Sequence, residues 1–238
     1  MSFRFRYFSV EDSNSTMKVG TDSMLLGSWA DPAGAGAILD VGTGCGVLAL
    51  MMAQKSGCPI DAIDIHQPSA EEAGKNFLAS PWAGRINVFH TSFREFSENT
   101  GHKYSLIITN PPFFSNSLKP ASASKLISRH EQSLGLIPLI DCSVTVMTPD
   151  ALLYLVLPAS GSSAFLRQAA IKNLFPRKIM QIRPCPARPP NRVLLSMGFD
   201  STAPCEAEEL SISTPGGKFT AEYLALTRDF HFFAQKDS

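Results

Sequence analysis

Between residues 37 and 157 short apolar runs alternate with segments of helical pattern, and this alternation restricts the chain to very few folds. AILDV is followed by VLALMMAQK, IDAIDI by SAEEAGKNFL, and INVFH by YSLIIT, then a helical stretch near 133–147 and the run ALLYLVLP. Strands that are apolar throughout are buried on both faces, and strands separated by helical crossovers run parallel. The pattern predicts an α/β chain with a mostly parallel central sheet, whose ligands bind beyond the carboxyl ends of the strands. Past residue 157 the pattern changes. A helix near 161–173 precedes KIMQIR and RVLLSMGF, which the turn-rich PCPARPPN separates, so an antiparallel C-terminal hairpin is expected at one edge. The tail FTAEYLALTRDFHFF has the spacing of a helix packed back on the body. We read 1–238 as one domain, with a leader at 1–35, a core at 36–160 and a hairpin and tail at 161–238.

Charge and cysteine usage narrow the function classes. Lysine plus arginine equals aspartate plus glutamate, 21 against 21. Any polyanion site must therefore be local. The five cysteines (Cys45, Cys58, Cys142, Cys185, Cys205) are scattered and never in a C-x-x-C spacing, which argues against a disulfide framework and a zinc site. A cytoplasmic protein without metal is expected. No run has the length of apolar sequence that spans a bilayer, and MSFRFRYF is not a signal peptide. A monomer is the expected state.

The stretch ILDVGTGCGVLAL, residues 38–50, ends the first strand and opens a helix. Gly42, Gly44 and Gly46 allow a tight turn and a close approach of backbone to a ligand. Val47 stands where the dinucleotide fingerprint G-x-G-x-x-G needs glycine, so a pyrophosphate cofactor loses ground. Asp64 ends the second strand, 24 residues after Asp40, where a carboxylate can accept from both ribose hydroxyls; a helix N-cap or a loop carboxylate is the plainer alternative. In this arrangement the chain resembles the Rossmann-like S-adenosylmethionine-dependent methyltransferases. The resemblance implies that Asp40, Gly42, Gly44 and Gly46 hold the methionine part of S-adenosylmethionine, and that Asp64, with Ile65 beside it, holds the ribose. Where many members carry an adenine-binding Asp after the third strand, this chain has Ser92, followed by Phe93.

The run YSLIIT ends in TNPPFF. Asn110 would project at the carboxyl edge of the sheet, where its amide oxygen and the carbonyl of Pro111 are two acceptors for the hydrogens of one NH2 group. Pro111 and Pro112 fix the backbone and aim that carbonyl, and Phe113 offers an aromatic face. An ordinary turn is the bland alternative. By resemblance Asn110, Pro111, Pro112 and Phe113 match the [DN]-P-P-[FYW] catalytic motif of the amino-methyltransferases, and Asn110 also borders the cofactor.

That motif serves adenine, cytosine, guanine and glutamine amines alike. MKVGTDSMLLGSW at 17–29, RHE at 129–131 and GGKFTAEYLALTRDF at 216–230 resemble the bacterial tRNA(Val) adenine-N6 methyltransferases, which modify the adenine beside the anticodon. The resemblance implies tRNA as partner and a lip over the cofactor formed by Lys18, Gly20, Thr21 and Asp22. Glutamine N5-methylation of a release factor, rRNA guanine-N2 methylation and a binding module without turnover are the alternatives. From Ala151 to Phe199 there are seven basic residues and no acid, and FRFRYF interleaves Arg4 and Arg6 with aromatics. Such composition suits phosphates and unstacked bases, which nominates Arg4, Arg6, Arg129, His130, Arg183, Arg188 and Arg192 as RNA contacts.

Overall fold

A computed structural model describes residues 2–112 and 135–231 of the chain. The leader forms a hairpin of β1 (Ser2–Arg4) and β2 (Ser9–Glu11), followed by α1 (Thr21–Trp29). The expected alternation then appears as β3 (Ile38–Val41), α2 (Val47–Lys55), β4 (Ile60–Asp64), α3 (Gln67–Leu78), β5 (Ile86–His90), α4 (Phe93–Asn99) and β6 (Tyr104–Thr109). It continues as α5 (Leu136–Val146), β7 (Met147–Pro158) and α6 (Ala159–Ile171). The C-terminal part carries β8 (Phe175–Arg183), β9 (Arg192–Gly198), β10 (Glu206–Ser211) and α7 (Ala221–Thr227).

The large sheet has eight strands in the order β10-β8-β9-β7-β6-β3-β4-β5. Every neighbouring pair is parallel except those made by β9, which is antiparallel to both β7 and β8. The expected hairpin is present, with its second strand inserted inside the first. β10, which the sequence did not announce, forms the edge beyond it. Its residues Glu206–Glu209 are all exposed, so the segment has no apolar period to read. The tail helix is short, and beyond it Phe5 and His231 form an antiparallel bridge that ties the tail to the leader.

Both faces of the sheet are buried, which is why its strands read as continuous apolar runs. Ile38, Leu106, Ile108, Tyr154 and Val156 point to one face, where α1, α2, the leader aromatics Phe5 and Phe8, and Tyr223 and Phe230 of the tail pack. Leu39, Val41, Ile107, Leu153, Leu155 and Leu157 point to the other, with Leu139 and Ile140 of α5 and Phe165 of α6. Residues Val47–Ala53 of α2 are buried without interruption, since this helix is covered by α1 as well as the sheet. The carboxyl ends of two helices are closed by cations. Lys55 donates to the carbonyls of Ser28, at 2.9 Å, and Ala30 after α1, and Arg85 donates to those of Ala53, Ser56 and Cys58 around the end of α2 at 2.8–3.1 Å. Each serves carbonyls that a helix end leaves without partners.

Candidate active site

In sequence order the sheet grows from β3 through β4 to β5, then returns to the other side of β3 with β6 and β7. The reversal leaves a crevice above the carboxyl ends of β3 and β6, the place where open α/β sheets bind ligands. Two segments meet there. Gly42 follows Val41, and Asn110 follows Thr109, the residue paired with Val41 across the two strands. The Thr109 hydroxyl donates to the Val41 carbonyl at 2.8 Å and fixes the end of β6 against the glycine loop.

The glycine loop is built from three residues in the left-handed region, Gly42 (φ 70°), Gly44 (φ 57°) and Gly46 (φ 86°). A side chain at Gly46 would strike Phe77 of α3 at 2.4 Å, and one at Gly44 would press on Ser15 at 3.1 Å; at Gly42 it would meet nothing. The loop is thus packed tightly below and behind, and open at Gly42. The backbone N–H groups of Gly42 and Thr43 both donate to the Ile63 carbonyl. The Asp64 carboxylate accepts from the Gly44 N–H and the His66 N–H, each at 2.8 Å, which locks the loop to the end of β4. Asp64 therefore acts as a loop carboxylate and not as a helix cap, since His66 is the N-cap of α3, and its oxygens retain further lone pairs for a ligand.

Beside the glycine loop, Oδ1 of Asp40 and Oδ1 of Asn110 are buried acceptors without a partner among the described residues. The other carboxylate oxygen of Asp40 accepts from the Thr43 hydroxyl at 2.6 Å and the Ala49 N–H at 3.0 Å. Burial raises the Asp40 carboxyl to about 7, partly offset by those two bonds. A buried acceptor without a donor is costly unless something completes it. Both orphans stand beside an open glycine loop at the crevice, and the residues fit a ligand that brings hydrogen-bond donors.

The loop is roofed by the leader. Asn76 of α3 donates to the carbonyls of Glu11 and Cys45, both at 2.8 Å, and accepts from the Glu11 N–H at 3.0 Å. The buried Glu72 accepts from the N–H groups of Asn14 and Ser15 at 2.8 and 2.9 Å, and Ser69 accepts from Thr16. These three side chains fall at spacings of three and four residues on one side of α3, among the buried Ala70, Ala73 and Phe77. Sequence reasoning passed over them. The signal was there, as polar residues on the apolar face of an amphipathic helix.

Residues 12–135 match the family model described as the methyltransferase small domain. A protein of Parabacteroides distasonis named tRNA1(Val) (adenine(37)-N6)-methyltransferase is 36% identical over 229 residues, which are 96% of this chain and 97% of that one. One of the same name from Klebsiella pneumoniae is 36% identical over 234 residues, 97% of this chain and 95% of the relative. The chain belongs to this family of methyltransferases. Among solved structures, a predicted O-methyltransferase of Agrobacterium tumefaciens superposes with a TM-score of 0.66 at 20% identity, covering 88% of this chain and 96% of that one. A ribosomal protein L11 methylase from Lactobacillus delbrueckii does so at 0.51 and 17%, covering 74% and 76%. Both are likenesses of fold, and both confirm the mostly parallel methyltransferase architecture.

The remaining residues nominated in this methyltransferase fall into three groups. Of those nominated for the cofactor, Ile65 is an exposed apolar side chain directly after Asp64, while Phe93, the first residue of α4, is buried in the core. Ser92 is the N-cap of α4; its hydroxyl accepts from the Glu95 N–H at 3.2 Å and donates to the Glu95 carboxylate at 2.9 Å. In the lip, Lys18 donates to the carbonyls of Asp12 and Ser13, Gly20 caps α1, Thr21 is exposed in its first turn, and Asp22 pairs with Arg192 at 2.9 Å. Phe113, Arg129 and His130 lie outside the described residues. Pro111 is buried and Pro112 exposed directly after Asn110.

The basic stretch differs most from its reading in sequence. Acids from elsewhere sit on five of its seven cations: Lys172–Asp141 at 2.8 Å, Arg177–Asp200 at 3.6 Å, Lys178–Glu206 at 2.9 Å, Arg183–Glu209 at 2.6 Å and Arg192–Asp22. The register of β10 on β8 is responsible for two of these pairs. Arg188 remains exposed, as do Arg4 and Arg6, and the Arg6 guanidinium lies 5.3 Å from the ring centre of Tyr7. Among the described residues no helix is long and apolar enough to cross a membrane, and no cluster of three metal-binding side chains occurs. A groove of about 790 Å³ runs along β5, with Asp61 and Tyr104 at the amino ends of their strands, away from the crevice.

Proposed function

We propose that this methyltransferase transfers methyl from S-adenosylmethionine to N6 of an adenine in tRNA, the adenine at position 37 beside the anticodon of tRNA(Val). The observation that carries the reading is the buried, unpartnered Oδ1 of Asn110, held by β6 beside the open glycine loop. The names of the relatives supply the nucleoside and the position. S-adenosylmethionine, when bound, supplies an electrophilic methyl group. Gly42–Gly46, Asp40 and Asp64 would hold it, the acids accepting from its amine and hydroxyl groups.

An exocyclic amine is a poor nucleophile because its lone pair is conjugated with the ring. Oδ1 of Asn110 and the carbonyl of Pro111 each accept one of its N–H groups, which favours a pyramidal nitrogen and offsets the positive charge that develops there. These dipoles are set before the substrate arrives. Thr109 is bonded to Val41, and the two prolines restrict the backbone on the far side of Asn110. No strong base is required, since the nitrogen becomes acidic only as the new bond forms.

The test is incubation with labelled S-adenosylmethionine and either total tRNA or release factors, followed by mass analysis of nucleosides and peptides. N6-methyladenosine in tRNA is the expected product. Label in a glutamine side chain or in guanine N2 would replace this reading with one of its alternatives.

A further inference from the structure

β10 runs parallel to β8 and, like β6 and β7, ends at the edge of the sheet that carries Asn110. The loops after β8 and β10 therefore stand on the same edge as the crevice. They are joined by backbone hydrogen bonds, Ile212 N–H to the Arg183 carbonyl at 2.9 Å and Ser213 N–H to the Pro184 carbonyl at 3.0 Å. The second loop is a tight turn. Thr214 N–H donates to Lys218 and Gly217 N–H to Thr214, Ser213 bridges Phe219, and Gly217 takes the left-handed conformation (φ 79°) that closes the turn. Thr220, the N-cap of α7, then donates through its hydroxyl to the Ser211 carbonyl at 2.6 Å.

This frame presents one aromatic ring to solvent. Phe219 is 50% exposed, an unusual state for phenylalanine, and its inner face is stacked on buried Tyr223 at 4.7 Å and 28°. Its neighbours are cationic. Lys218 precedes it, and Arg188 is exposed on the adjoining loop, neither with an acid partner among the described residues. The backbone carbonyl of Arg188 is pinned by the Arg183 guanidinium at 2.9 Å, so that loop is held as well. Residues 184–191 and 212–221 contain no acid; Glu222 comes next.

A rigid, half-exposed ring next to one exposed cation, with a second on the loop bonded to its own and no acid on either loop, is the composition that binds single-stranded nucleic acid, by stacking a base and contacting phosphates. We infer that Phe219, with Lys218 and Arg188, forms a platform for an unpaired base of the RNA substrate, outside the crevice where the target amine is held. β10 is four strand spacings from β6, about 19 Å. The platform therefore takes a nucleotide some distance along the loop from the target adenine, and fixes the register in which the RNA lies across β7, β9 and β8. The inference rests on the proposed RNA substrate and adds to it a second point of contact.

Binding of an unmodified tRNA(Val) transcript, measured at fixed salt with Phe219→Ala, Phe219→Leu and Phe219→Tyr, tests the platform. Loss of one base stack should raise Kd about tenfold in Phe219→Ala and Phe219→Leu, with Phe219→Tyr within about twofold of the parent. Affinity for S-adenosylmethionine and the single-turnover rate at saturating RNA should stay unchanged, because the ring touches neither. Arg188→Ala should weaken binding and lower the salt slope by about one. If removal of the Phe219 support unfolds the Ala variant, the Leu and Tyr pair decides, since leucine keeps the apolar cover on Tyr223 and lacks the ring. Parent-like RNA affinity in Phe219→Leu, or no RNA binding by the parent, overturns the platform. Binding is read without turnover, so an unmethylated adenine in the parent reaction rejects the proposed function separately.

Discussion

Asn110 brings to the crevice an amide oxygen that nothing among the described residues satisfies. Its replacement is therefore a sharper experiment than that of Asp64, whose carboxylate also ties Gly44 and His66 and would disturb the loop when lost. Asn110→Ala should slow single-turnover methyl transfer on the order of a hundredfold or more, with both substrates saturating and both affinities little changed. Asn110→Asp should be milder, because it keeps an acceptor. A near-normal rate for the alanine variant would reduce the Asn-Pro-Pro sequence to a rigid turn. Asp40 invites a titration. Its folded value, about 7, lies above the ordinary carboxylate range, so the native state binds a proton that the unfolded chain has released. Stability from this group is present at acid pH and is lost as pH rises from about 4 through about 7. Asp40→Asn should flatten the dependence of Tm on pH over that window, and an unchanged profile would mean that another group governs it. Asp40, Gly42, Asp64 and Asn110 could be picked from sequence because each follows an apolar run at a strand end. The partners of Ser92 and Asp22 could not, since a capping box and an ion pair to Arg192 depend on how the chain folds back.

At the scale of elements, the leader behaves as a strap across the glycine loop, held by one face of α3. Glu72 anchors two of its N–H groups with a single carboxylate, and hydrogen bonds to a charged acceptor are the stronger kind. Glu72→Ala should cost about 2–3 kcal/mol in denaturant unfolding and weaken S-adenosylmethionine binding, because the strap also backs Gly44 through Ser15. Full stability in that variant would show that the strap's N–H groups find other acceptors. The alternating elements of the core were legible because parallel strands buried on both faces leave unbroken apolar runs, as in AILDV and ALLYLVLP. β1, β2 and β10 were not, being short or polar at an edge, where pairing rather than burial defines the strand. The same limit hid the meaning of the cations on β8. Lys178 and Arg183 meet acids only once β10 has been laid beside them.

For the whole molecule, those pairings determine how the protein should meet a polyanion. Seven phosphate contacts from the stretch 151–199 would give a slope of log K against log salt of about −5 on single-stranded RNA. With five of the seven cations already engaged by acids, the slope for tRNA should be shallower than about −4. Filter binding across a salt series checks this; a steeper slope would mean that the ion pairs open to take up phosphate. Recognition would then draw on shape and stacking more than on charge, in keeping with a chain whose formal charges cancel.

The reversed direction of β9 sets an order on assembly. β7 and β8 are not neighbours, and each pairs with β9, which follows both in the chain. The half built from β3 to β6 pairs without help from later strands, whereas β8 and β10 have no place on the sheet until residues 192–198 slot between β7 and β8. The outer strands should therefore gain protection after the glycine-loop half during refolding, as pulsed hydrogen exchange of amides in β8 and β10 against those in β3 and β4 would record. A ribosome would release a nearly complete glycine-loop half well before the part proposed to hold RNA has its seat.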